Sequence, residues 1–309
     1  MTVQGEAPAP ARRAGPAAVC AWCGAAARPG EGRLAHCARC GAASTHPPPS
    51  DDELGDAYAD WYRPVAGRFS AGGDRLLRRS RATLARRLDR LAPPGPVLDV
   101  GCGEGVLLDA LRARGREATG LERRPTRPDM RTVELTDFDE RGGEWAAVVF
   151  WHSLEHIREP GRALDRAAAL LAPGGVLVLA VPNFGSWQSR RFGTRWFALD
   201  IPRHLVHLPA PTLIDGLEAR GLRVERASYW RGGQVLFGWL HGLVGALPGG
   251  LDLYSAIRRP DARSRPLTAT GRVGSLAAGV ALSPVALALS AAEVGARAGG
   301  TVYLEARRS

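Results

Sequence analysis

The chain contains no lysine. All 41 of its basic residues are arginine, set against 31 acidic residues, for a formal charge of +10 and a pI near 10.3. Such basicity ordinarily points to nucleic acid or an anionic membrane surface. The missing lysine, together with abundant Ala, Gly and Pro, reads instead as a coding bias, so charge alone selects no partner. A secretory signal is also missing, because residues 1–18 are Pro/Ala-rich, carry Arg12 and Arg13, and hold no continuous apolar stretch. The expectation is a cytoplasmic protein with a disordered tail over 1–18. Cysteine is scarce, five in 309 residues, and four of the five fall in one short stretch.

Those four, Cys20, Cys23, Cys37 and Cys40, form CAWC and CARC, two Cys-x-x-Cys knuckles each followed by glycine (Gly24, Gly41). Four thiolates at this spacing surround a tetrahedral zinc ion, and in a cytosolic chain metal binding is favoured over a disulfide pair. Four thiolates leave no open coordination position, so the expected zinc is structural. It holds together a ribbon at 19–46 that is too short to bury a core of its own. His36 is a weaker alternative ligand. The HPPPS run at 46–50 then reads as a stiff linker. Within 47–92, Tyr58, Trp61, Tyr62 and Phe69 either close over a cofactor or pack the linker onto the next domain. Leu76, Leu77, Leu84 and Leu88 recur at helical spacing with arginines between them, the pattern of an amphipathic helix covering a sheet edge.

Residues 96–105, PVLDVGCGEG, organise the rest. Val97 to Val100 supply a buried parallel strand, and Gly101, Gly103 and Gly105 let the chain turn tightly into a helix from Val106 and bring a ligand close to the backbone. The Gly-Lys-Ser/Thr ending of a phosphate-binding P-loop is absent. From here strands and helices alternate, which predicts an α/β, Rossmann-like, doubly wound sheet. Strands are expected over 117–122, 132–135, 145–150, 176–181 and 222–230, with a final one over 301–307. Glu122 ends the second, about 20 residues past the glycine turn, where a carboxylate accepts both ribose hydroxyls. Thr136 and Asp137 follow the third, positioned to meet an adenine edge.

The succession VLDVGCGEG, GLE, TDFD, WHSLEHI and LAPGGVLVLAVPN over about residues 94–230 resembles the class I S-adenosylmethionine-dependent methyltransferases, in particular the small-molecule branch that includes the quinone-biosynthesis O-methyltransferases. The resemblance implies a seven-stranded sheet formed by 93–231 plus 300–309. It places Asp99, Gly101 and Gly103 in the S-adenosylmethionine loop, Glu122 at the ribose, and Asp137 with Phe138 beside the adenine. A nicotinamide enzyme shares the glycine turn and the acidic residue but does not carry LEH followed by LAPGG at these positions. Two rivals stay open: an RNA methyltransferase, which also couples a zinc ribbon to this fold, and a non-catalytic S-adenosylmethionine-binding protein. Nucleic acid is the less favoured partner.

Methyl transfer needs donor and acceptor in line and, for a hydroxyl acceptor, a base. The Asn/Asp-Pro-Pro-Tyr signature that resembles amino-methylating enzymes does not follow the fourth strand, which favours an oxygen or carbon acceptor. Four of the seven histidines, His152, His156, His204 and His207, cluster after that strand and in DIPRHLVHL. Each alone reads as a structural hydrogen bonder. Together they are expected to contain the base, in the order His204, His156, His152. Before the final strand lies an insert, 232–299, with two uncharged runs at 232–251 and 273–292, each of bilayer length. Glycines and Pro248 interrupt the first, and Pro284 is expected to break the second. A spanning hairpin would carry Arg258, Arg259, Arg263 and Arg265 across the membrane, against the positive-inside rule. The insert therefore reads as a peripheral contact at the inner face of the membrane, serving a lipid-linked substrate, or as a soluble lid or dimer contact.

Overall fold

The computed structural model describes residues 17–59, 69, 72–139, 142–230, 233–263 and 266–308. Residues 1–16 of the expected tail, Trp61, Tyr62 and Arg265 lie outside the described residues.

The N-terminal part builds three short strands, β1 (Arg28–Pro29), β2 (Leu34–His36) and β3 (Ala43–Thr45), between the two cysteine knuckles and the linker. The knuckles are equivalent turns: Gly24 and Gly41 sit in the left-handed region and donate to the carbonyls of Cys20 and Cys37 at 2.9 and 3.0 Å. Only glycine takes that backbone without strain, which is why one follows each pair. Helix α1 (Asp51–Ala57) is capped by Ser50, whose side chain accepts from the Glu53 amide. Helix α2 (Gly73–Leu91) buries Leu84, Ala85 and Leu88 but leaves Leu76 exposed.

Next come β4 (Val97–Val100), α3 (Val106–Arg112), β5 (Ala118–Leu121), β6 (Met130–Arg131), β7 (Trp145–Trp151), α4 (Pro160–Leu170), β8 (Leu171–Pro182) and α5 (Trp187–Phe192). After them lie β9 (Val206–His207), α6 (Ala210–Glu218), β10 (Leu222–Ser228), α7 (Gly233–Gly245), α8 (Leu253–Ile257), α9 (Ala269–Gly295) and β11 (Thr301–Arg308). The third strand falls at Met130–Arg131 rather than 132–135, and 135–137 forms a short 3-10 turn.

The main sheet is the expected seven-stranded one, in the order β10-β11-β8-β7-β4-β5-β6. β11 runs antiparallel to both neighbours and the rest of the core pairs are parallel. All residues of β4 and β7 are buried. Val97, Val149 and Val178 face α2 and α3, while Leu98, Val148 and Leu177 face α4 and α6. A parallel strand covered on both faces has no polar side to alternate with, hence the unbroken apolar runs in the sequence.

Strand β9 does not join this sheet; it pairs antiparallel with β3 as the fourth strand of the N-terminal sheet. Trp22 packs on α6, where Gly216 leaves room for the indole and Arg220 lies over the ring at 5.4 Å. In the insert, Gly238 and Gly242 let α7 approach Gln188 and the Phe192 ring of α5. Helix α9 runs unbroken through Pro284, correcting the expected break. Pro284 removes one donor, but the adjacent Ser283 hydroxyl bonds the Gly279 carbonyl at 2.7 Å within the helix.

Candidate active site

In a doubly wound sheet the ligand crevice opens at the carboxyl ends of the strands where the order reverses, here between β4 and β7. The glycine turn lies at the end of β4. Gly101, Gly103 and Gly105 all have left-handed φ, and a Cβ on Gly101 would stand 2.5 Å from that of Ser153. The turn is thus packed against the segment that follows β7. Glu122, just past β5, accepts a hydrogen bond from the Gly103 amide at 2.7 Å, which ties the acidic residue to the turn. Burial pushes the Asp99 carboxyl up to about 7, with Arg81 opposing the rise and Glu122 adding to it.

Thr136 and exposed Asp137 line an open cavity of about 500 Å³, with Leu54, Gly55 and Tyr58 of the α1 segment also in its lining. The Phe138 ring is buried against Trp145, 5.8 Å between centroids, with the Arg131 guanidinium over it. Of the linker aromatics, Tyr58 reaches the histidine cluster and Phe69 packs on Tyr254 of the insert.

The four histidines separate into two environments. His207 is buried in the N-terminal sheet, where its Nε2 donates to Thr45 Oγ1 at 3.2 Å and burial pushes it down to about 3. The other three surround Glu155, which is 4% exposed and whose carboxylate oxygens have no hydrogen-bond partner among the described residues. His152 Nδ1 stands 3.5 Å from Glu155 Oε1, and His204 Nε2 3.9 Å. The His156 and His204 rings meet edge to face at 4.6 Å. Burial alone would raise the Glu155 carboxyl; the surrounding imidazoles, His152 first, outweigh it and hold the group below the usual carboxylate range.

His204 is buried, donates Nδ1–H to the Ala198 carbonyl at 2.9 Å, and is pushed well below the ordinary histidine range, chiefly by burial and then by His156. His156 Nδ1 lies 2.9 Å from both the Arg203 carbonyl and the Tyr58 hydroxyl. His152 differs from both. It occupies a left-handed backbone position (φ 54°) at the end of β7, a strained conformation for a non-glycine residue. Its Nε2 lies 2.8 Å from Nε2 and 3.0 Å from Oε1 of Gln234, an exposed residue of α7. The ligand atoms of Glu155, His156 and His204 lie within 4.8 Å of one another, a donor set suited to a divalent cation.

Glu155, Gln234 and Tyr58 as a histidine partner were not singled out from sequence. A local signal existed only for Glu155, which stands three residues after His152 in WHSLEH.

The four cysteines come together as expected. Sγ separations are 3.7 Å for Cys20–Cys40 and 3.6 Å for Cys23–Cys37, and all four thiols are free. Tetrahedral zinc with Zn–S bonds of about 2.3 Å requires edges of ~3.8 Å, so the donor set fits that ion. Backbone amides of Cys23 and Trp22 point at Cys20, where burial outweighs them and pushes the thiol up, and those of Cys40 and Arg39 point at Cys37, where with the neighbouring thiols they outweigh burial and pull it down to about 7.

Comparison with known proteins shows the family. The sequence model of the family described as "Methyltransferase domain" matches residues 74–227. A ubiquinone biosynthesis O-methyltransferase of Xanthomonas axonopodis pv. citri is 33% identical over 161 residues, 45% of this chain and 67% of that protein. One from Xanthomonas campestris pv. campestris is 34% identical over 110 residues, 30% of this chain and 46% of that protein. Among solved structures, a SAM-dependent methyltransferase from Archaeoglobus fulgidus aligns at a TM-score of 0.45 with 15% identity, covering 73% of this chain and 93% of that one. The chain belongs to the class I S-adenosylmethionine-dependent methyltransferases, with S-adenosylmethionine as its methyl donor.

Proposed function

We propose that the protein methylates a hydroxyl oxygen of a small or lipid-linked acceptor, with His152 as general base and Glu155 as the carboxylate behind it. The observation that supports this most is the position of the pair at the switch point of the sheet. Ser153, between them in sequence, touches the glycine turn, and His152 Nε2 faces the exposed Gln234 side chain, which would have to give way to the acceptor hydroxyl. When bound, S-adenosylmethionine supplies a methyl group on a sulfonium, to be taken in line by the acceptor oxygen. Gly101 and Gly103 would let that cofactor approach the backbone, Glu122 would hold its ribose, and Asp137 and Phe138 would flank its adenine. His152 Nε2 accepts the acceptor's proton, while ionised Glu155 steadies the resulting imidazolium from the Nδ1 side. This reverses the order expected from sequence, because His204 is enclosed behind Glu155 with Nδ1 committed to Ala198.

In the same reading the cysteines bind structural zinc in a ribbon over 19–46, and 232–299 is an insert in a methyltransferase domain made of 93–231 and 300–309. Relatives named for ubiquinone biosynthesis and the apolar insert beside His152 support an apolar hydroxylated acceptor. The test is His152→Asn, a residue that tolerates the left-handed backbone. S-adenosylhomocysteine formation should fall by about 10²–10⁴-fold, with S-adenosylhomocysteine affinity retained. A variant that turns over normally, with His204→Ala alone inactive, would transfer the role to His204.

A further inference from the structure

We propose, resting on the donor placement given above, that α1 is a strap beside the donor cavity that opens on its own and closes on the bound donor, so that donor binding and strap closure are one equilibrium. Helix α1 has seven residues, too few to hold together without packing. Only Leu54 among them is buried. A helix with so little apolar burial belongs to the part of a fold that opens locally at low cost.

Polar clips hold it instead, and they come from four separate places in the chain. Arg124, just past β5, donates to the Tyr58 carbonyl at 2.9 Å, and Arg203, ahead of β9, donates to the Ala57 carbonyl at 3.0 Å. Arg158, between β7 and α4, donates to Asp51 at 2.7 Å and to the Pro49 carbonyl at 3.2 Å. From the N-terminal sheet, Arg33 grips both carboxylate oxygens of Glu53. Ion pairs of this kind in contact with water contribute little each, and the Asp51 side chain is 96% exposed. The strap is clipped on rather than packed in.

Its inner side meets two parts of the site. Leu54, Gly55 and Tyr58 line the same cavity as Thr136 and Asp137, whose volume of about 500 Å³ is that of a small-molecule site. The Tyr58 hydroxyl also stands 2.9 Å from His156 Nδ1. Opening would take one wall from the cavity and withdraw that hydroxyl from the histidine cluster. A donor that needs the wall binds the closed form alone, and mass action then suppresses opening by one plus the ratio of free ligand to Kd. Donor occupancy thereby fixes Tyr58 against His156.

The test is amide exchange of the full chain with and without S-adenosylhomocysteine at about 100 times its Kd. In the free protein the amides of 54–58, which bond within the helix, should exchange faster than those of β4 and β7. The ligand should slow them about a hundredfold and leave α8, a similarly short helix outside the cavity lining, unchanged. Glu53→Gln loosens a clip that does not line the cavity, and should speed exchange at 54–58 in the free protein about two- to fivefold. Exchange at 54–58 as slow as in β4 and β7 would overturn the strap, as would a ligand effect equal at α8 or a Glu53→Gln variant exchanging at the wild-type rate. Asp137→Ala separates the strap from the donor placement. If it weakens S-adenosylhomocysteine binding while the ligand leaves wild-type 54–58 unprotected, the strap alone falls; if binding is unaffected and 54–58 stays unprotected, both fall together.

Discussion

Glu122 does two jobs in the donor site: it is the ribose acceptor in the proposed binding mode, and its carboxylate holds the Gly103 amide at 2.7 Å, shaping the turn before any ligand arrives. Glu122→Ala removes a charged hydrogen bond worth about 1.5–3 kcal/mol, so S-adenosylhomocysteine should bind roughly 10- to 150-fold more weakly. Calorimetry that finds unchanged affinity would remove Glu122 from the site. The residues of the glycine turn were legible because backbone geometry demands them locally. Glu155 was not, since a carboxylate in LEH reads as an ordinary turn residue. Its character comes from three imidazoles that converge on it, one of them from a loop about 50 residues away, and from the loss of water around it.

At the level of elements, periodicity and turn chemistry located most strands of the main sheet, including the antiparallel β11 reached only after the insert. They did not show β9 joining the N-terminal sheet, because a two-residue strand carries no pattern and its partner lies some 160 residues earlier. That pairing matters for the site. Thr45 donates its hydroxyl to the His204 carbonyl at 2.6 Å and its amide to the Leu205 carbonyl at 3.0 Å, so the cysteine ribbon holds the loop behind Glu155. In the proposed zinc reading, metal binding in so small a unit is folding free energy. Chelation should therefore abolish amide-exchange protection at residues 43–45 and also at 204–207, while the β4 and β7 amides stay protected. Protection at 204–207 that survives loss of the 43–45 signal would show that the loop stands without the ribbon.

For the whole molecule, the lysine-free composition made charge a poor guide, and the structure supplies what composition withheld: where the arginines stand. One, Arg87, clamps α2 to β11 through a two-point bond with Glu305, at 2.8 and 2.7 Å. The sheet presents a donor crevice at β4 and β7, the insert reaches it through Gln234, and the ribbon braces it from behind through Thr45. The most direct measurement is methyl transfer from labelled S-adenosylmethionine to cell extract separated into lipid, small-molecule and RNA fractions. The account predicts label in the lipid or small-molecule fraction, bound through oxygen and lost with His152→Asn. Label confined to RNA would contradict it.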